Sequence, residues 1–361
     1  MDTNQAPVVP EQNESWWIRD AEFFFSNGDC SILVENTLFK VHRFLLTRDS
    51  QVFDKLLSGG ESVQPAAEFA GSVEGVPIIK LQGDTVVEFR ALLWILYARP
   101  DVTHHAASDV TLVPKVLTIS TIAHRYGFKS LESWVASSLL EHMSSKRLTS
   151  EVLLSTGQPF DILEKILRVG MDSNVLSLRS LVLLNWLTCL KCHPSLPSSV
   201  IDIVDRYDFP EFKGPTYYHF LVGTDQVPPP HVRLLTGDIG LSIAQRTRLL
   251  RGFMFLSGLW DSLRTSPPTF SEGEACTHHE ERCLPSWNRR WVELVKHDTV
   301  LSRCSADVLG KLGEVGSLLM ADTFVEAELP SECRNLAFSS LSEAIAQIDQ
   351  SLAQYFVDLA P

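Results

Sequence analysis

No stretch of this 361-residue sequence is apolar for long enough to cross a bilayer: the longest run, Leu181 to Leu190, is broken by Asn185 and falls far short of the roughly 20 residues a spanning helix needs. G-x-G-x-x-G, Walker A, G-x-S-x-G and H-E-x-x-H patterns are all absent, which leaves phosphate cradles, nucleophile elbows and helical zinc-protease sites without support. Basic residues are scarce, 31 Lys and Arg against 44 Asp and Glu, and a net charge of -13 repels phosphate backbones and anionic lipid. The one basic cluster, Arg246, Arg248 and Arg251 in RTRLLR, reads as a solvated helix face, so neither nucleic acid nor membrane is expected as a partner. Cysteine is sparse too: seven, an odd number spread over the chain, do not make a disulfide framework. The opening segment MDTNQAPVVPEQNES has neither the basic start nor the apolar core of a secretory signal. The expectation is an intracellular protein, cytoplasmic or nuclear.

What is present is a folding composition, 45% hydrophobic and 21% charged, in a chain long enough for two or three packed units. Residues 1–15 are polar, and the first 30 residues hold six acidic side chains against the single Arg19, so the beginning reads as a disordered acidic tail. CSILVENTLFKV, Cys30 to Val41, gives two β-type runs around Glu35-Asn36-Thr37, a hairpin with Asn36 suited to its turn. Phe44, Leu45, Val52, Phe53, Leu56 and Leu57 then fall at helical spacings, with Ser50 placed to cap the second of two short helices. Residues 58–77, rich in Gly, Ser, Ala and Glu, read as an exposed loop. PIIKL is a strand, Asp84 a candidate cap for the helix that follows, and Arg99-Pro100 its end. Pro114 at a first turn and Gly127 as a stop bound the next helix, and an amphipathic helix runs from Phe128 to about Met143.

Helical pattern dominates thereafter. HRYGF ends one helix at Tyr126 and is echoed by DRYDF at Tyr207, which reads as two ordinary helical hairpins rather than a solenoid. VPPPH, Val227 to His231, marks a linker, and a polar loop from Thr265 to about Pro285 interrupts the final helices. The stripes Val308, Leu312, Val315, Leu319 and Leu341, Ile345, Ile348, Leu352 keep helical period. The fold class is therefore α+β, mostly α: a small β-sheet covered by helices in residues 16–143, a helical extension in 144–226 and an all-α region in 227–361.

Two clusters of thiols and imidazoles invite chemistry. Cys189-Leu190-Lys191-Cys192-His193 spells the c-type haem attachment pattern, but that chemistry belongs to exported proteins, so buried or half-buried structural thiols are expected. CTHHEERC places Cys276, His278, His279 and Cys283 within eight residues. Ligands so close together seldom all reach one tetrahedral ion, and a site would borrow from elsewhere, for instance Cys189, Cys192 or His193. The expectation is solvated loop residues, no metal and no cofactor.

From Gly28-Asp29 through the hairpin to Phe39-x-Val41-His42-Arg43-x-x-Leu46 and Ser50-x-x-Phe53, then the strand IIKL and the helix FRALLWILY, residues 16 to about 143 resemble a BTB/POZ domain. FFFSNGDCSILVENTLFKVHR is similar to BTB proteins of mushroom-forming fungi, and the extension after Met143 looks BACK-like. The resemblance implies a non-catalytic protein-interaction module, a homodimer or a BTB heterodimer that recruits protein partners. In the family an acid at the first strand and a base after the motif histidine form a charged pocket near the dimer interface, and Asp29 and Arg43 occupy those positions beside His42. Their alternative reading is a surface salt bridge, and that of His42 a hydrogen-bonded core histidine. Many BTB proteins also recruit substrates to a cullin-based ubiquitin ligase through an apolar-x-Glu pattern. The matching triplet is Phe89-Arg90-Ala91, with Ala91 where glutamate is expected. A substrate adaptor for such a ligase, and a metal-binding or enzymatic C-terminal region, are the alternative functions.

Overall fold

The computed structural model describes residues 17–58, 67–106, 108–193, 196–223, 240–274 and 276–358. The chain forms two compact units, Met1–Val152 with Asp161–Val182, and Leu153–Phe160 with Leu183–Pro361.

In the first unit, strands β1 (Ile18–Phe24), β2 (Cys30–Val34), β3 (Thr37–Val41), β4 (Ala67–Val73) and β5 (Val76–Leu81) make one mixed sheet in the order β1-β3-β2-β5-β4. The expected hairpin is its centre: β2 and β3 pair antiparallel with Cys30 opposite Val41 and Ile32 opposite Phe39. Every residue of both strands is buried, because both faces of the sheet are covered. Ile32, Val34, Phe39, Val41, Ile79 and Leu81 pack under the helices, while Leu33, Leu38, Val73 and Ile78 form a smaller cluster on the other face with Trp17 and Phe24. The left-handed residue of the hairpin turn is Glu35 (φ 52) and not Asn36. Its carboxylate accepts the Val86 N–H at 3.0 Å, tying the turn to the start of the helix that crosses the sheet.

The sequence reading of 58–77 as an exposed loop is corrected here, since residues 67–73 are strand β4, antiparallel to β5. Glu74 (φ 52) and Gly75 (φ 78) are both left-handed, the backbone that a two-residue hairpin turn needs. Strand β1, parallel to β3, is a further addition to the expected elements.

Helices α1 (Arg43–Thr47) and α2 (Gln51–Leu57) follow the hairpin as expected, and Ser50 Oγ accepts the Phe53 N–H at 3.0 Å. Helix α3 (Val86–Leu96) is capped by Thr85 in a reciprocal box with Glu88, not by Asp84. Asp84 is buried and instead bonds the Tyr126 hydroxyl and pairs with Arg125. After α4 (Pro100–Ala106), helix α5 (Val113–Tyr126) carries its proline in the first turn and stops at Gly127 (φ 67), and α6 (Lys129–Ser144) begins behind Phe128. Tyr126 stacks on Phe53 with centroids 4.3 Å apart, and Phe128 closes the same core from 5.8 Å. Such a ring pair contributes about 0.5–1.5 kcal/mol beyond its burial.

Helices α7 (Ser150–Ser155), α8 (Pro159–Asp172) and α9 (Leu176–Cys192) lead into the second unit, whose described residues form helices and connecting loops and no strand. There α10 (Ser199–Tyr207) ends in left-handed Asp208 (φ 50) with Phe209 opening α11 (Pro210–Val222). The DRYDF echo thus repeats the backbone of HRYGF, although Tyr207 and Phe209 are only half-buried where Tyr126 and Phe128 are fully so. VPPPH lies outside the described residues. Helix α12 (Ile243–Leu263), α13 (Leu284–Leu294), α14 (Asp298–Leu301), α15 (Val308–Met320), α16 (Thr323–Glu328) and α17 (Ser331–Tyr355) complete the unit. The stripe Val308, Leu312, Val315 and Leu319 is buried as expected, and of the last stripe Leu341, Ile348 and Leu352 are buried with Ile345 half-buried.

The expected solvated arginine face does not hold for Arg248. Its guanidinium reaches Asp205 at 2.9 Å, Asp358 at 2.7 Å and the Tyr217 hydroxyl at 3.0 Å. Among the described residues no single helix is long and apolar enough to cross a membrane.

Candidate functional site

The strand-to-helix junction at Val41–Arg43 gathers the residues singled out by the BTB pattern. Asp29 Oδ1 accepts the main-chain N–H of Arg43 at 2.7 Å, and its own N–H donates to the Val41 carbonyl at 3.1 Å. The Arg43 guanidinium turns to Ser58 Oγ at 2.9 Å. Asp29 therefore acts as a cap for the first turn of α1 and not as the side-chain salt bridge considered from sequence. His42 is half-buried: Nδ1 lies 2.8 Å from the Tyr97 hydroxyl, its main-chain N–H donates to the same oxygen at 3.0 Å, and Phe25 lies 5.6 Å from its ring. Burial raises the Tyr97 hydroxyl above the ordinary tyrosine value. The phenol is held neutral, able to accept one bond and donate another.

Of the triplet Phe89-Arg90-Ala91, the two members named as partner contacts are buried and Arg90 is exposed. Phe89 is 0% exposed, edge-to-face on Phe39 at 5.0 Å, and Ala91 is 4% exposed. The Thr85 cap sets where α3 starts, its broad apolar face lies on the sheet, and Val87 (68% exposed) and Arg90 are the residues it presents outward. Arg90 Nε holds buried Asp20 at 2.6 Å. Burial alone raises the Asp20 carboxyl, but hydrogen bonds from Phe23 N–H, Arg90 and Glu22 N–H together keep it below the ordinary carboxylate value.

In the second unit the structure brings together Cys276, His279, Cys283 and Cys333, whose ligand atoms all lie within 4.8 Å of one another. The expected solvated loop is found at His278, which faces solvent beside Glu281, and not at His279 or Cys283, which are 8% and 1% exposed. The phase of the turn decides between the neighbouring histidines. His279–Cys283 is one π-helical turn running into α13, so residues 279 and 283 fall on one side and 278 on another. Cys333, in the first turn of α17, is the donor that sequence reasoning missed; Cys189, Cys192 and His193 are not members. Cys189 is buried and Cys192 exposed, so that pair does not share a pocket. The main-chain N–H of His278 holds the Cys276 thiol below its ordinary value, whereas burial pushes Cys283 up to about 12 and raises Cys333.

A small mixed sheet built round a hairpin, its central strands buried on both faces and its helices packed over it, is the scaffold of the N-terminal unit. The family model of the BTB/POZ domain matches residues 22–143, and this segment is a BTB/POZ domain. No curated protein matches the chain, and no solved structure does.

Proposed function

We propose that the chain is a non-catalytic adaptor, which self-associates through its BTB/POZ domain as a homodimer, or pairs with a related BTB chain, and recruits a protein partner. The observation that carries this reading is the BTB/POZ match over residues 22–143 on a continuous, well-packed sheet and helix core. Two further features support it. Strand β1 is an edge of the sheet, and an edge with free main-chain groups is a template for another chain. Ile18, Phe44 and Val87 are 61%, 68% and 68% exposed, apolar area that association removes from water. Recruitment of a cullin has less support, because Phe89 and Ala91 are committed to the core and Arg90 to Asp20.

Light scattering coupled to gel filtration on the full chain tests self-association. A dimer mass at micromolar concentration is expected, falling to the monomer mass in Phe44→Glu with an unchanged circular dichroism spectrum. A wild-type chain that stays monomeric across the range overturns the homodimer.

A further inference from the structure

The donor atoms of Cys276, His279, Cys283 and Cys333 lie close enough together, all within 4.8 Å of one another, to share one ion. With Zn–S about 2.3 Å and Zn–N about 2.0–2.1 Å, tetrahedral ligands stand about 3.8 Å apart sulfur to sulfur and about 3.6 Å sulfur to nitrogen. Cys276 Sγ and Cys283 Sγ are 3.7 Å apart, and Cys333 Sγ and His279 Nδ1 are also 3.7 Å apart. A disulfide would need its sulfurs at about 2.05 Å, so the spacing is that of co-ligands and not of a bond.

The surroundings are those of a metal histidine. His279 Nε2 lies 3.2 Å from the Phe270 carbonyl, the bond that places the ring proton on Nε2 and leaves Nδ1 free to face Cys333. Phe270 covers the imidazole edge-to-face at 5.0 Å, with Trp287 behind it at 5.8 Å, an apolar wall that keeps water out. Cys-x2-His-x3-Cys at 276, 279 and 283 is compact enough for one turn to supply three ligands.

We propose that Cys276, His279, Cys283 and Cys333 bind one zinc ion as a closed structural site. Three sulfurs and one imidazole are soft or borderline donors, which select zinc over calcium or magnesium. Four protein ligands leave no open position for a substrate, so the ion holds structure and does not catalyse. Three thiols release their protons to solvent on binding, and the resulting site carries a net charge of about -1 from three thiolates, a neutral imidazole and the dication. The ion would fasten the loop that enters α13 to the first turn of α17, a clasp between segments 50 residues apart at Cys283 and Cys333.

Native mass spectrometry and elemental analysis of the full chain, purified without a histidine tag and kept reduced, test the site. About one zinc per chain is expected, replaced on cobalt exchange by the visible bands of tetrahedral thiolate coordination. Cys333→Ser should bring the metal below about a tenth of an equivalent, while His278→Ala retains it in full. Wild-type protein with less than about a tenth of an equivalent of zinc and no cobalt spectrum overturns the proposal, as does a reduced-buffer mass showing Cys276 and Cys283 joined as a disulfide. The wild-type stoichiometry and the cobalt spectrum decide the matter even if Cys333→Ser does not fold.

Discussion

In the first unit several carboxylates and hydroxyls close on main-chain N–H groups beside long-range pairs such as Asp84 with Tyr126 and Asp20 with Arg90, and in the second an extended side-chain network ties Asp205, Tyr217, Gln245, Arg248 and Asp358 together. Ser50 accepts from Phe53, Asp29 from Arg43 and Glu35 from Val86, each satisfying an N–H at the start of a helix, and Asp20 accepts from Phe23 at the irregularity inside β1. In the second unit Asp205 takes the Tyr217 hydroxyl at 3.0 Å, Arg248 joins Asp205 to Asp358, and Gln245 reaches Asp202 at 2.8 Å. Asp307 likewise accepts from the Tyr218 hydroxyl at 2.5 Å and pairs with Arg303 at 3.0 Å. Caps fix where an element begins, which suits a sheet whose strands must keep register. Networks fix how one helix sits on another, which helices with no ladder between them need from their side chains.

The largest effect that can break this contrast lies in the apolar core under the caps. Phe89→Ala removes a fully buried ring from the sheet–helix interface and should cost about 3–5 kcal/mol in urea unfolding. A loss under about 1 kcal/mol would mean that Phe89 is a surface residue after all, and would return the triplet it heads to the list of partner contacts.

Helix contacts in the second unit make the next test, because two glycines there differ only in what faces them. A Cβ on Gly214 of α11 would lie 2.5 Å from the Ala353 nitrogen and 2.9 Å from its Cα, both main-chain atoms of α17. Gly214→Ala should therefore destabilise by about 1–3 kcal/mol. Gly313 of α15 is exposed with no atom within 4 Å of the added carbon, so Gly313→Ala should stabilise by about 0.5–1 kcal/mol. Equal signs in thermal unfolding would show that the approach of α11 to α17 is not what holds the second unit's helices in place.

The two units also differ in how far they could be read in the sequence, for the same physical reason. The hairpin, the Ser50 cap and the Gly127 stop are local devices and stand in the sequence where the structure has them. Strand β4 escaped because AEFAGSV is small and weakly patterned, and what makes it a strand is its pairing with β5; the Glu74-Gly75 turn was the one local signal for it. Strand β1, IRDAEFF, is a charged edge strand whose burial falls on Asp20 and Phe23 alone. At the thiol cluster the sequence holds three of the four donors in one loop but cannot choose His279 over His278, a matter of helical phase. It gives no sign of Cys333, which α17 returns to that loop. Arg248 was read as a solvated face because its partners, Asp205 and Asp358, lie 43 and 110 residues away.

The smallest expected effect tests the capping side of the contrast at the residue where capping and partner binding make opposite demands. Asp29 is exposed, and its contact with Arg43 is to the main-chain N–H at 2.7 Å. Asp29→Ala removes that acceptor and should cost about 0.5–2 kcal/mol. Asp29→Asn keeps an oxygen of the same reach and loses the charge, and since Asn and Asp cap about equally well it should stay within about 0.5 kcal/mol of the wild type. If Asp29 works only as a cap, the asparagine variant also keeps the self-association of the parent in light scattering. A folded Asp29→Asn chain that no longer associates would make the carboxylate an interface group, placing the charge itself, and not the hydrogen bond, at the contact between chains.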